Sequence, residues 1–204
     1  MGQKSDIYLG NPNLKKANTQ TEFTEEHIVE FLKCKKDPVY FTETHIKIVN
    51  VDEGLVSFNM YKFQKKLIKN FHKNRFNICK MPRQTGKSTT VVSYLLHYAI
   101  FNDNVNIGIL ANKAATARDL LGRLQLAYEN LPTWMQQGII AWNKGSMELE
   151  NGSKIIAAST SASAVRGMSF NIIFLDEFAF VQNHLADDFF ASVYPTISSG
   201  KSTK

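Results

Sequence analysis

The run Met81-Pro82-Arg83-Gln84-Thr85-Gly86-Lys87-Ser88 contains the second half of the pattern G-x-x-x-x-G-K-[S/T], with Met81 where the first glycine would stand. These residue types suit phosphate chemistry. Gly86 lets the backbone approach an anion closely, and successive N–H groups of Gln84, Thr85, Gly86 and Thr89 at a helix start would bind it. Lys87 has the reach for the β- and γ-phosphates of a nucleotide, and the Ser88 hydroxyl suits Mg²⁺. Ninety residues downstream, Asp176-Glu177 closes the apolar run Ile172-Ile173-Phe174-Leu175. Carboxylates at the C-terminal tip of a buried parallel strand lie where open α/β sheets bind ligands. Asp176 there would hold the metal through its water shell, and Glu177 would orient or deprotonate the attacking water. An isolated pair of this kind is an ordinary solvated strand end; the upstream loop favours the catalytic reading. A water-activating glutamate favours hydrolysis of ATP over phosphoryl transfer.

Three further residues are candidates. Arg83, inside the loop, would meet the γ-phosphate in cis or pair with a carboxylate to shape the loop. Gln64 has an amide suited to reading an adenine edge. Arg166, after the small-residue stretch 159–165, reads as a phosphate sensor, a nucleic-acid contact or a plain turn. Trp134 and Trp142 read as packing residues. His27, His45, His72, His97 and His184 show no ligand spacing with Cys34 or Cys79, so no zinc site is expected.

The elements that would position these groups follow from periodicity. Thr24, Glu25 and Glu26 ahead of Ile28, Phe31 and Leu32 predict a short capped helix, ended by Asp37-Pro38. Residues 40–50 read as a strand pair or extended loop. Phe63, Leu67 and Phe71 recur every four residues opposite lysines, which predicts an amphipathic helix over 61–73. Strands are expected at 76–81, 105–111 and 171–175, helices at 87–101 and 114–130, and a hairpin over 147–160 turning at Asn151-Gly152. This alternation predicts an α/β fold around a mainly parallel sheet flanked by helices.

Composition agrees with a globular chain of 204 residues, 44% hydrophobic and 21% charged. Two cysteines exclude a disulfide scaffold, and the most apolar helical stretch is too short for a membrane span. Charge is uneven. Residues 1–90 carry 16 Lys/Arg against 9 Asp/Glu, and no acid occurs between Gly54 and Asn102. That segment suits an anionic ligand, nucleotide or nucleic acid, although the lysines of 62–73 equally form a solvated face.

Several segments together resemble the large terminase subunit of T-even-like tailed bacteriophages. They are Tyr61-Lys62-Phe63-Gln64, the loop Pro82 to Thr89, Gly108-Ile109-Leu110-Ala111, Leu131-Pro132 and Trp142-Asn143-Lys144-Gly145-Ser146. Asn151-Gly152-Ser153, Ala164-Val165-Arg166-Gly167 and Phe174-Leu175-Asp176-Glu177-Phe178-Ala179-Phe180 complete the set. The resemblance covers about residues 55–200. It implies a P-loop NTPase fold of the ASCE (RecA/helicase-like) type, in a motor that pumps double-stranded DNA into a procapsid using ATP and Mg²⁺. By resemblance Lys87 and Ser88 bind ATP·Mg²⁺, Asp176 binds the metal, Glu177 activates water, Arg83 acts in cis and Gln64 recognises adenine. The family's loop also lacks the first glycine. Expected partners are double-stranded DNA, the portal protein, the small terminase subunit and further large subunits in a ring, in the host cytoplasm and without a membrane.

On this reading residues 1–22 form a flexible arm, 23–58 an N-terminal subdomain and 59–204 a partial ATPase domain. The family's next strand and its C-terminal nuclease are expected to be missing, leaving the fold incomplete at its C-terminal end, with an open sheet edge prone to aggregation. A helicase-like translocase fragment and a non-catalytic nucleotide- or DNA-binding module are the competing expectations.

Overall fold

Thr24 opens the first helix with a capping box, its hydroxyl accepting from the His27 amide while the His27 ring accepts from the Thr24 N–H. A computed structural model describes residues 6–50, 52–160, 167–198 and 203–204. This helix, α1, spans Glu25–Lys36, and Asp37 closes it by donating its N–H to the Lys33 carbonyl. The same Asp37 then starts a second helix, α2 (Pro38–His45), its carboxylate accepting from the Val39 and Tyr40 amides. Proline at the first helical position needs no amide partner, so Asp37-Pro38 begins a helix as well as ending one. Only the end of the expected extended stretch is strand: β3 (Lys47–Asn50) pairs with β4 (Gly54–Ser57) as an antiparallel hairpin.

The N-terminal residues differ from the expected flexible arm. β1 (Ile7–Tyr8) and β2 (Asn11–Lys15) form an antiparallel pair. Lys16 bridges to Ile139, Leu14 is buried, and the Gln136 amide bonds backbone groups of Lys15 and Asn13. Burial of Leu14 and pairing of these amides offset the entropy of ordering a polar segment.

The amphipathic helix α3 (Lys62–Lys73) buries Gln64, Ile68 and Phe71. After it, residues 76–81 are not the expected strand: the segment lies outside regular structure, and Ile78 is 100% exposed. An apolar run becomes a strand only beside an available strand edge. Here Lys204 takes positions along β9, exchanging backbone hydrogen bonds with Asn171 and Ile173 while its ammonium reaches the Phe71 and His72 carbonyls.

From the loop onward the expected order holds. Helix α4 (Lys87–Phe101) leads to β5 (Asn106–Ala111), then α5 (Ala114–Glu129). A short strand not anticipated, β6 (Ile139–Trp142), precedes the hairpin β7 (Ser146–Leu149) and β8 (Lys154–Ser159). The chain then forms β9 (Ile172–Asp176), a 3-10 turn at Phe178–Phe180 and α6 (Asn183–Ser198). The five-stranded sheet has the order β6-β7-β8-β5-β9. β5 runs parallel to both β8 and β9, β7 pairs antiparallel to β8, and β6 pairs antiparallel to β7 at the edge.

Both sheet faces are covered, which explains why β5 is apolar from Ile107 to Ala111. Ile107, Ile109, Ile155 and Ile172 join the main core with residues of α4 and α5 such as Leu96, Ile100, Leu121 and Leu124. Leu110 faces the other way, into a smaller core with Phe170, Phe189 and Val193. Trp134 and Trp142 pack against the main core. The hairpin turn also holds α4: Asn151 donates to the carbonyls of Ala99 and Asn102, and the Ser153 hydroxyl bonds Asn102 as well. Gly152 supplies the left-handed turn at φ 79°.

Candidate nucleotide site

Register brings the strand ends together. Ala111 pairs with Ser159 on one side and Asp176 on the other, so Asp176 lies on the C-terminal edge of the parallel strands. The start of α4 approaches the same edge. Gly86 caps this helix in the left-handed region at φ 71°, and Gln84 is also left-handed at φ 61°. Alternating hands turn successive N–H groups toward one side, the arrangement that binds anions. The first amides of α4 have no intrahelical acceptors and add the positive end of its dipole. Within the loop Thr85 donates its hydroxyl to the Pro82 carbonyl, and Thr90 returns to Gly86 through both its amide and its hydroxyl.

A single cleft is lined by Arg83, Gln84, Thr85, Gly86, Lys87, Ser88, Thr89, Asp176 and Glu177, together with Arg123. Every expected site residue except Gln64 and Arg166 therefore meets in one place. Asp176 is 7% exposed. Burial pushes its carboxyl above the usual range, as does the adjacent Glu177 charge, while Lys87 and Arg123 oppose the shift. Glu177 adopts the left-handed conformation at φ 50° where β9 gives way to the 3-10 turn, and its side chain is exposed to the cleft. Strained backbone of this kind re-aims a side chain at the end of a strand.

Gln64, expected to contact adenine, is not among the residues that line this cleft. It is 3% exposed behind the loop, its carbonyl accepting from the Tyr61 amide at 2.8 Å and its amide donating to the Thr85 carbonyl at 3.1 Å. The second bond ties α3 to the phosphate loop, while the first stays within the start of α3. Arg123 was missed in the sequence because no motif surrounds it. It projects from α5, ion-paired with Asp119 one turn earlier at 2.9 Å. Arg166 lies outside the described residues.

The cleft at the C-terminal edge of a parallel strand core, with a glycine-capped helix facing a carboxylate pair, defines an α/β fold of the P-loop NTPase class, ASCE type. A family model described as terminase large subunit, T4likevirus-type, N-terminal, matches residues 78–189, and the chain belongs to that family. Among solved structures the chain is similar to the HK97 bacteriophage large terminase, with TM-score 0.67 and 18% identity over 83% of this chain and 36% of that one. A mutant ATPase domain of the large terminase of Thermus phage P74-26 gives TM-score 0.58 and 16% identity, over 70% of this chain and 62% of that one. The large terminase of the thermophilic bacteriophage D6E gives 0.52 and 14%, over 64% of this chain and 35% of that one. The chain thus spans less than two thirds of each of these proteins, and at such identities the likeness speaks for the fold. Among the described residues no helix is long and apolar enough to cross a membrane.

Proposed function

We propose that this chain binds and hydrolyses ATP as the nucleotide-handling segment of a motor that drives double-stranded DNA into a viral procapsid. The observation that carries the reading is the single cleft uniting the Gly86–Lys87–Ser88 loop with Asp176 and Glu177. Membership of the terminase large-subunit family supports the motor assignment over a helicase-like translocase.

In this reading the loop amides and Lys87 bind the phosphates, and Arg83 draws charge from the γ-phosphate as it separates. Gln64 holds the loop in its binding shape. Ser88 and Asp176 offer a hydroxyl and a carboxylate in the same cleft, hard oxygen donors of the kind Mg²⁺ takes. When bound there, Mg²⁺ would neutralise charge developing on the phosphate oxygens. Glu177 orients the attacking water and accepts its proton. Double-stranded DNA, the portal protein, the small terminase subunit and neighbouring large subunits are the corresponding partners.

Calorimetry on Lys87→Ala should show ATP binding abolished, and unchanged affinity would sink the phosphate-loop reading. Glu177→Gln should bind ATP as the parent does while phosphate release falls about 10²-fold or more, the usual contribution of a general base. Loss of binding together with turnover would make Glu177 structural.

A further inference from the structure

Away from the nucleotide cleft, three side chains with different donor atoms converge on one point. Glu30 and Cys34 lie four residues apart on α1, hence on one face, and His45, the last residue of α2, folds back over that face because Asp37 joins the two helices directly. The Glu30 Oε1 oxygen accepts from His45 Nε2 at 2.8 Å and from Cys34 Sγ at 3.5 Å. The three candidate ligand atoms all lie within 4.8 Å of one another. Cys34 is fully buried, and the side chains of His45 and Glu30 are 12% and 26% exposed.

We propose that Glu30, Cys34 and His45 form a binding site for a divalent transition-metal ion of the zinc class. One thiolate sulfur, one imidazole nitrogen and one carboxylate oxygen are zinc's usual donors, with bonds of about 2.0–2.3 Å. Tetrahedral bonds of that length hold ligand atoms roughly 3.3–3.8 Å apart. Glu30 Oε1 lies 2.8 Å from His45 Nε2 and 3.5 Å from Cys34 Sγ, and no pair exceeds 4.8 Å, so shifts of about 1 Å or less bring the three atoms to that spacing. The ion replaces the protons shared at Oε1: the Cys34 thiol proton leaves to solvent, and the Nε2 proton of His45 moves to Nδ1 of the neutral ring, or to solvent when the ring is charged, which frees Nε2 to bind. Water fills the fourth position on the partly exposed Glu30 side. Tyr40 donates its hydroxyl to the other carboxylate oxygen, Oε2, at 3.0 Å, so it keeps that bond and holds the carboxylate in orientation. The bound ion staples α1 to α2 beside α4, where His97 bonds the Cys34 carbonyl.

The test uses Co²⁺ alone, added to the chelator-stripped 204-residue chain, with folding checked by circular dichroism. One equivalent should produce a thiolate-to-cobalt charge-transfer band, retained in Cys79→Ser, lost in Cys34→Ser and erased by one equivalent of Zn²⁺. His45→Gln and Glu30→Gln should each weaken Zn²⁺ affinity at least about tenfold in competition with a chromogenic chelator. Folded Cys79→Ser retains only the Cys34 thiol, so absence of the band there overturns the site even if Cys34→Ser fails to fold. A band that survives in Cys34→Ser overturns it equally, as do unchanged affinities in both ligand variants.

Discussion

Gln64 stands so close behind Gly86 that a Cβ on the glycine would lie 2.6 Å from the Gln64 Nε2 nitrogen. The glycine is thus required twice, by its left-handed backbone at φ 71° and by the amide at its back. Gly86→Ala should lower ATP affinity at least tenfold in calorimetry, since a left-handed alanine costs about 1–2 kcal/mol and the clash displaces the loop as well. Adding Gln64→Ala removes the clash but not the backbone strain, and should recover only part of the loss. Parent-like binding by Gly86→Ala would refute this account of the loop.

Arg123 gives a second prediction. Its guanidinium lines the cleft yet is 53% exposed and tied to Asp119. A charge-assisted contact that solvent partly screens should be worth about threefold to tenfold in ATP affinity. Arg123→Ala should show that loss and Asp119→Asn a small gain, with both effects fading at high salt. An affinity unchanged in Arg123→Ala at low salt would reduce Arg123 to a surface ion pair.

Asp37 closes α1 and opens α2 with one residue. Asp37→Ala should cost about 1 kcal/mol of stability in urea unfolding, the typical value of a lost N-cap. Asp37→Asn should lose much less. Equal losses would mean that the charge near the lysines of α1, not the cap, is what matters.

His97 makes the fold acid-sensitive. Burial lowers its pKa to about 4 from 6.5, helped by His72 of α3 and opposed by its bond to the Cys34 carbonyl, by Asp37 and by the Lys35 backbone. Its Nδ1 is buried without a hydrogen-bond partner among the described residues. Because the folded value is depressed, the unfolded chain takes up the proton first as pH falls from 6.5 to 4. Stability should therefore be intact above 6.5 and fall progressively toward pH 4, by about 3 kcal/mol in all. Unfolding measured in chelator across this range should be flatter in His97→Gln by that amount. Identical pH profiles would show that other groups set the acid limit.

The elements that could be read from sequence are those whose pattern and partners lie within themselves. α4, α5, β5 and β9 are long or strongly apolar, and the loop chemistry of Gly86, Lys87 and Ser88 is local. Residues 76–81 mislead because an apolar run names a strand without saying whether an edge awaits it. Residues 40–45 mislead in the opposite sense: β-branched and aromatic side chains suggest extension, but Asp37 and Pro38 nucleate a helix and the core accepts Phe41 on it. Arg123 and the Glu30–Cys34–His45 cluster were invisible for a different reason. Each depends on two helices meeting at an angle that no sequence spacing records.

The two ends of α4 have opposite attachments. One end is the phosphate loop, and the other is grasped at its carbonyls by Asn151 and Ser153 from the β7–β8 turn. Fifteen helical residues between them make a rod about 22 Å long, stiff along its axis. Held at both ends, α4 runs unbroken from the cleft at Gly86 to the hairpin that carries β8, a strand of the sheet whose C-terminal edge bears Asp176.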